Sequence, residues 1–118
     1  MIKVNIYKDS NLIKKFTISG HADYKAYGKD IVCAAVSVLG FTALRSLVDV
    51  CGIDEKDILY KVDEKTGYLE VKLPDILDES LLRDTQIVLN TFLVGIKSLI
   101  ESCPKYITLE YRGGVIND

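Results

Sequence analysis

The chain predicts an α+β fold, a largely antiparallel sheet in the order ββαββαβ with two long helices packed on one face. Three observations carry this. Residues 2–18 and 58–73 each contain two runs of alternating apolar and polar residues joined by turn chemistry, which predicts two hairpins. A run without a single charge, 31–44, follows the first hairpin. A stretch with apolar residues at three- and four-residue spacing follows the second.

In the first strand Ile2, Val4 and Ile6 alternate with Lys3, Asn5 and Tyr7, the two-residue period of a half-buried strand. Asp9, Ser10 and Asn11 favour a tight turn. Leu12, Phe16 and Ile18 then share one face of a second strand, with Lys14 as an exception on it. Residues 20–29 form a polar, tyrosine-bearing loop. Asp30 is a good N-cap, because its carboxylate can accept from N–H groups two or three residues on. The helix that follows is apolar on nearly every side and so must be covered on nearly every side, by the sheet plus a second helix or a partner subunit. Gly52, after Cys51, closes it.

Ile58, Tyr60 and Val62 alternate with Leu59, Lys61 and Asp63, and Leu69, Val71 and Leu73 alternate with Tyr68, Glu70 and Lys72; residues 64–67 join them. Asp78 or Ser80 opens a second helix with Leu81, Leu82, Val88, Leu89, Phe92, Ile96, Leu99 and Ile100 inward, which stops at Cys103 and Pro104. Ile107, Leu109 and Tyr111 mark a last strand. Gly40 and Gly95, one inside each helix, predict close approach of the two helices, since glycine there otherwise costs about 1 kcal/mol against alanine.

A chain of 118 residues fits one domain, 1–118, large enough to fold without disulfide or metal. With 48% hydrophobic and 27% charged residues it is an ordinary globular composition. A net charge of −2 argues against direct nucleic-acid binding. Three scattered cysteines and one histidine give no disulfide framework and no zinc-ligand spacing, so no metal or other cofactor is expected. Lysines and Asp9 interrupt the first 15 residues, unlike a signal peptide, and the uncharged run 31–44 is too short to cross a bilayer. These features predict a cytoplasmic protein without membrane attachment.

The chemistry concentrates at 20–37. His21 is the sole histidine, and Cys33 follows twelve residues later, in the expected first turn of the apolar helix. N–H groups at a helix start lack partners and the dipole favours negative charge there, so a thiol in that place ionises more easily. Those N–H groups could also hold an oxyanion, with His21 as general base and then general acid. Cysteine is equally a common core residue, and spacing alone leaves that role open for Cys33 as it does for Cys51 and Cys103. Asp30 would oppose a thiolate, which favours helix capping or loop ordering over catalysis. Ser37 lies one turn beyond Cys33 on the same face and could donate a hydrogen bond. Tyr24 and Tyr27 could pack over a bound peptide or simply anchor the loop. Gly20 and Gly28 would let that loop close on substrate.

The run from 20 to 37 reads G-H-A-x-Y-x-x-x-G-x-D-I-V-C-A-A-V-S and closely resembles the signature of the ribosomal-processing cysteine proteases, the Prp family. The resemblance extends to length and element order. It implies a cysteine endopeptidase that removes a short N-terminal extension from a large-subunit ribosomal protein, with Cys33 as nucleophile, His21 as its partner, and a homodimeric assembly. A noncatalytic protein-binding module assisting ribosome assembly is the alternative.

Overall fold

The computed structural model describes residues 1–20 and 29–113. Among them the elements run β1 (Ile2–Asp9), β2 (Leu12–Ser19), α1 (Lys29–Asp49), a short 3-10 turn (Glu55–Asp57), β3 (Leu59–Asp63), β4 (Tyr68–Lys72), α2 (Glu79–Ser102) and β5 (Ile107–Arg112). The predicted order and α+β class are those observed.

The five strands form one sheet in the order β3-β4-β2-β1-β5. All neighbours are antiparallel except β1 and β5, which are parallel. Two-residue turns with both residues at positive φ suit the right-handed strand twist. Ser10 (φ 51°) and Asn11 (φ 70°) adopt that geometry between β1 and β2.

The anomaly at Lys14 has a structural cause. Tyr7 pairs with Lys15 and Lys8 pairs with Ile13, so Lys14 is an extra residue, a β-bulge. The bulge resets the alternation. Ile13 therefore shares the buried face with Phe16 and Ile18, whereas Leu12, predicted on that face, is only half-buried.

Both helices cover the face that carries Phe16 and Ile18. The Phe16 ring meets Phe92 of α2 at 4.3 Å between centroids. A Cβ on Gly40 of α1 would lie 2.7 Å from Ile18 Cδ1 and 2.8 Å from Leu69 Cδ2. Gly95 lets α2 close on Leu39 of α1, since a Cβ there would sit 2.8 Å from a Leu39 methyl. So Gly95 serves helix–helix approach as expected, whereas Gly40 serves helix–sheet approach.

Three boundaries depend on backbone hydrogen bonds. Asp78 caps α2, its carboxylate accepting from the Leu81 N–H at 2.8 Å. Gly52 (φ 80°) ends the α1 turn, with the Ile53 N–H donating to the Leu47 carbonyl. At its start α1 already includes Lys29, so Asp30 is the second helical residue and not the residue before the helix.

Helix α1 buries Val32, Val36, Ala43, Leu44 and Leu47 in the core cluster. Its other side is open: Ile31 is 70% and Val38 63% exposed, and Phe41 and Ala34 are exposed beside them. The chain's own sheet and second helix thus cover less of α1 than its composition demands. The span Ile31–Asp49 is long and apolar enough to cross a membrane by length and composition, which corrects the estimate from the shorter uncharged run. Arg45 interrupts the uncharged pattern without ending the helix, and it pairs at 3.5 Å on the exposed side with Asp49, the last helical residue.

Candidate active site

Cys33 is half-buried against the core and faces a cleft of about 200 Å³. Three sides of the fold supply its walls. From α1 come Cys33, Val36, Ser37 and Phe41, positions that share one helical side. From the β1–β2 end come Ile2, Ile18 and Gly20. The β3–β4 hairpin closes the opposite side with Val62, Asp63, Glu64 and Tyr68. The approach permitted by Gly40 sets α1 against Ile18 and Leu69, and both of these also line the cleft.

Gly20 is where β2 turns away. Its φ of +100° suits glycine, and a Cβ would collide with the Met1 carbonyl oxygen. The residue bonded to it is His21. His21, Tyr24, Tyr27 and Gly28 lie outside the described residues, as does the Asp30 side chain. Of the predicted site residues, then, the structure brings Cys33, Ser37 and Gly20 into one cleft.

Cys33 is the fifth residue of α1. In an α-helix the first four N–H groups lack an intrahelical acceptor, whereas the fifth bonds back four residues. At the fifth position the Cys33 N–H falls within the helical ladder, past the unpartnered donors of the helix start. The expected placement of Cys33 in the first turn is off by one position, because the helix starts before Asp30. Ser37, exposed and one turn on, sets a hydroxyl in the same cleft.

The hairpin wall was not legible as part of a site. Residues 58–73 announce a hairpin, but nothing local says that it faces Cys33. That follows from β4 pairing with β2, in which Leu69 lies opposite Ile18. Asp63 and Glu64 put carboxylates at the rim. Asp63 Oδ1 accepts from the Lys65 N–H at 2.9 Å, which shapes the turn. The Tyr68 hydroxyl donates to Glu70 Oε1 at 2.5 Å. Burial, then the hydrogen bond to Glu70 and the nearby charge, push the Tyr68 pKa up to about 12, so the phenol stays neutral in the wall.

The other cysteines sit where a core reading puts them. Cys51 is buried and Cys103 half-buried against the core. Burial first, then the Asp84 charge, raise the Cys51 pKa. Among the described residues no group of three or more His, Cys, Asp and Glu could hold a metal ion.

Comparisons with known proteins match the chain over most of its length. The family described as Cysteine protease Prp matches residues 1–108. A ribosomal processing cysteine protease Prp of Staphylococcus aureus (strain Mu50 / ATCC 700699) is 29% identical over 113 residues, 95% of this chain and 100% of that protein. The crystal structure of SMU.848 from Streptococcus mutans is similar with a TM-score of 0.83 at 28% identity, covering 97% of this chain and 96% of the other. The S. aureus ribosomal processing protease Prp, in complex with a covalently linked product peptide, is similar with a TM-score of 0.78 at 26% identity, covering 95% and 100%.

Proposed function

This chain belongs to the cysteine protease Prp family, and from that premise we propose that it is a ribosomal-processing endopeptidase with Cys33 as nucleophile and His21 as general base and acid. The observation that carries the assignment is that Cys33 and Gly20, the residue bonded to His21, line one cleft.

In this reading His21 takes the Cys33 proton and the sulfur attacks the scissile carbonyl carbon. The tetrahedral intermediate collapses as His21 returns the proton to the leaving amine, leaving a thioester on Cys33. Water, deprotonated by His21, then attacks the thioester carbonyl. The acid product leaves and the sulfur recovers its proton. A covalently linked product peptide on a structural neighbour fits such an intermediate. The Ser37 hydroxyl, near the sulfur along α1, is a donor for the developing oxyanion. Tyr24 and Tyr27 pack over the peptide, Gly20 and Gly28 permit closure of the loop, and Asp30 orders its junction with α1.

The substrate is the N-terminal extension of a large-subunit ribosomal protein, in keeping with the names of the relatives. The protein works in the cytoplasm as one domain, without direct contact to nucleic acid or membrane. It forms a homodimer along the uncovered stripe Ile31, Ala34 and Val38 of α1, which recurs at helical spacing and is too apolar to face water alone. Membership of a protease family sets aside the noncatalytic module.

Mass spectrometry of a synthetic extension peptide incubated with purified protein tests the assignment. The wild type cleaves it and Cys33→Ala leaves it intact. Equal survival of the peptide in both samples refutes the nucleophile. His21→Ala is expected to lose turnover while keeping its circular-dichroism spectrum.

A further inference from the structure

A second depression lies away from Cys33, at the other end of strand β3. Val62 and Asp63 line the Cys33 cleft, whereas Leu59, at the start of the strand, lines a groove of about 570 Å³. The segment that follows α1, the 3-10 turn and the connection from β4 to α2 supply its other walls.

Much of this lining is apolar. Ile53 and Leu73 belong to the buried core, and Leu77 packs against it. Ile76 and Leu59 do not join them: they are 91% and 61% exposed. Exposed apolar side chains gathered at one groove mark an interaction site. The same lining carries Asp54, Asp57 and Asp75, and no cation. The segments 54–57 and 75–79 hold six acidic residues against one lysine, in a chain whose net charge is only −2. Lys56 pairs with Asp54 at 3.7 Å, and Lys72 reaches Asp75 at 4.0 Å. Asp57 makes no ion pair among the described residues. Apolar surface bordered by exposed carboxylates suits lysine and arginine, whose stems cover apolar groups while their charged heads stay in water.

We propose that this groove is a second binding site, separate from the cleft, for a basic segment of the ribosomal protein on the mature side of the scissile bond. Its lysine and arginine stems lie on Ile76 and Leu59, and their charges face Asp57 and Asp75. The proposal rests on the reading of the chain as a ribosomal-processing protease. Charge complementarity selects this occupant. A ribosomal protein holds RNA by neutralising phosphates with lysine and arginine, so its mature part carries basic segments. The spacing suits a tethered contact. From Leu59 to Asp63 the strand runs about 13 Å, a gap that a handful of extended residues span. A substrate engaged at Cys33 keeps its adjoining segment near the groove at high effective concentration, so weak charge pairs suffice to lower KM.

Two synthetic peptides test it, both spanning the extension and the cleavage junction of a large-subunit ribosomal protein. One stops shortly past the junction, and the other continues through the first basic stretch of the mature protein. With wild type at low salt, KM for the long peptide is expected to be about three- to tenfold below that for the short one, the yield of two or three exposed charge pairs. The gap is expected to close as salt screens the charges. Asp57→Lys combined with Asp75→Lys is expected to remove this advantage, and Ile76→Ser to reduce it at least twofold. Cleavage of the short peptide is expected to be unchanged in both variants, which also shows that they fold. Equal KM for the two peptides with wild type, while both are cleaved, overturns the second site and leaves the protease reading standing. A long-peptide advantage that survives both variants places the basic segment elsewhere and overturns it too. A lower sedimentation mass for Ile76→Ser than for wild type shows that a second copy covers the groove, with the same consequence. Failure of wild type to cleave either peptide removes the protease reading and this proposal together.

Discussion

Gln86 joins α2 to the sheet through a contact whose energy can be worked out atom by atom. Its carboxamide nitrogen donates to the Ile13 carbonyl at 2.8 Å, and its oxygen accepts from the Ile13 N–H at 2.8 Å. Strand β4 pairs with β2 from Lys15 to Ile18, and the Leu73 N–H reaches the Lys14 carbonyl. At Ile13 the side chain of Gln86 takes the place that a strand would fill. Gln86→Ala removes two neutral hydrogen bonds, each worth about 0.5–1.5 kcal/mol net, for an expected loss of about 1–3 kcal/mol. Gln86→Glu keeps an acceptor for the N–H but turns a carboxylate toward the Ile13 carbonyl. Its neutral form can donate there, so the introduced carboxyl has a folded pKa above its unfolded value of about 4.3. The deficit is then absent below that unfolded value and grows as pH rises through the folded one. Urea unfolding of wild type and both variants, at pH 7 and at the lowest pH where wild type stays folded, reads these differences directly. A loss under about 0.5 kcal/mol for Gln86→Ala, or a Gln86→Glu deficit that does not shrink in acid, refutes the reasoning.

Gly40→Ala gains about 1 kcal/mol of helix propensity but drives a methyl to 2.7 and 2.8 Å from Ile18 and Leu69. Overpacking of a core costs about 1–3 kcal/mol, so a lower thermal midpoint is expected, and a raised midpoint counts against the packing described. Alkaline ultraviolet titration should show a tyrosine step near about 12 that vanishes in Tyr68→Phe. Because this folded pKa stands above the usual 10.0, the stabilisation is intact below about pH 10 and is lost as pH rises toward 12, faster in wild type than in Tyr68→Phe. Burial and Asp84 make the Cys51 thiol the slowest of the three to alkylate at pH 8, and peptide mapping that finds it labelled as fast as in urea contradicts its burial.

Much of this was legible because it is local. Alternation in 2–7 and 68–73, turn residues at Ser10 and Asn11, the cap at Asp78 and the glycine after Cys51 each act over a few residues, and each lies where it was expected. The motif holding His21 and Cys33 was equally plain. Less legible was anything that depends on register. The misplaced Leu12 followed from a bulge that only the pairing with β1 reveals. Gly40 was assigned to the wrong neighbour, because a helix glycine carries no mark saying which surface comes near. The start of α1 was placed two residues late, at 31 where the helix begins at Lys29, since Asp30 suits the first turn as well as the cap.

By itself the sequence determined which segments are strands and helices and which family motif the chain carries, because periodicity, turn propensity and motif spacing are properties of neighbours along the chain. Only the tertiary structure decided that a distant hairpin walls the cleft at Cys33, that β3 ends beside it, and that one stripe of α1 stays uncovered. Those facts depend on which strand lies next to which, and that is set by the packing of side chains far apart in the chain.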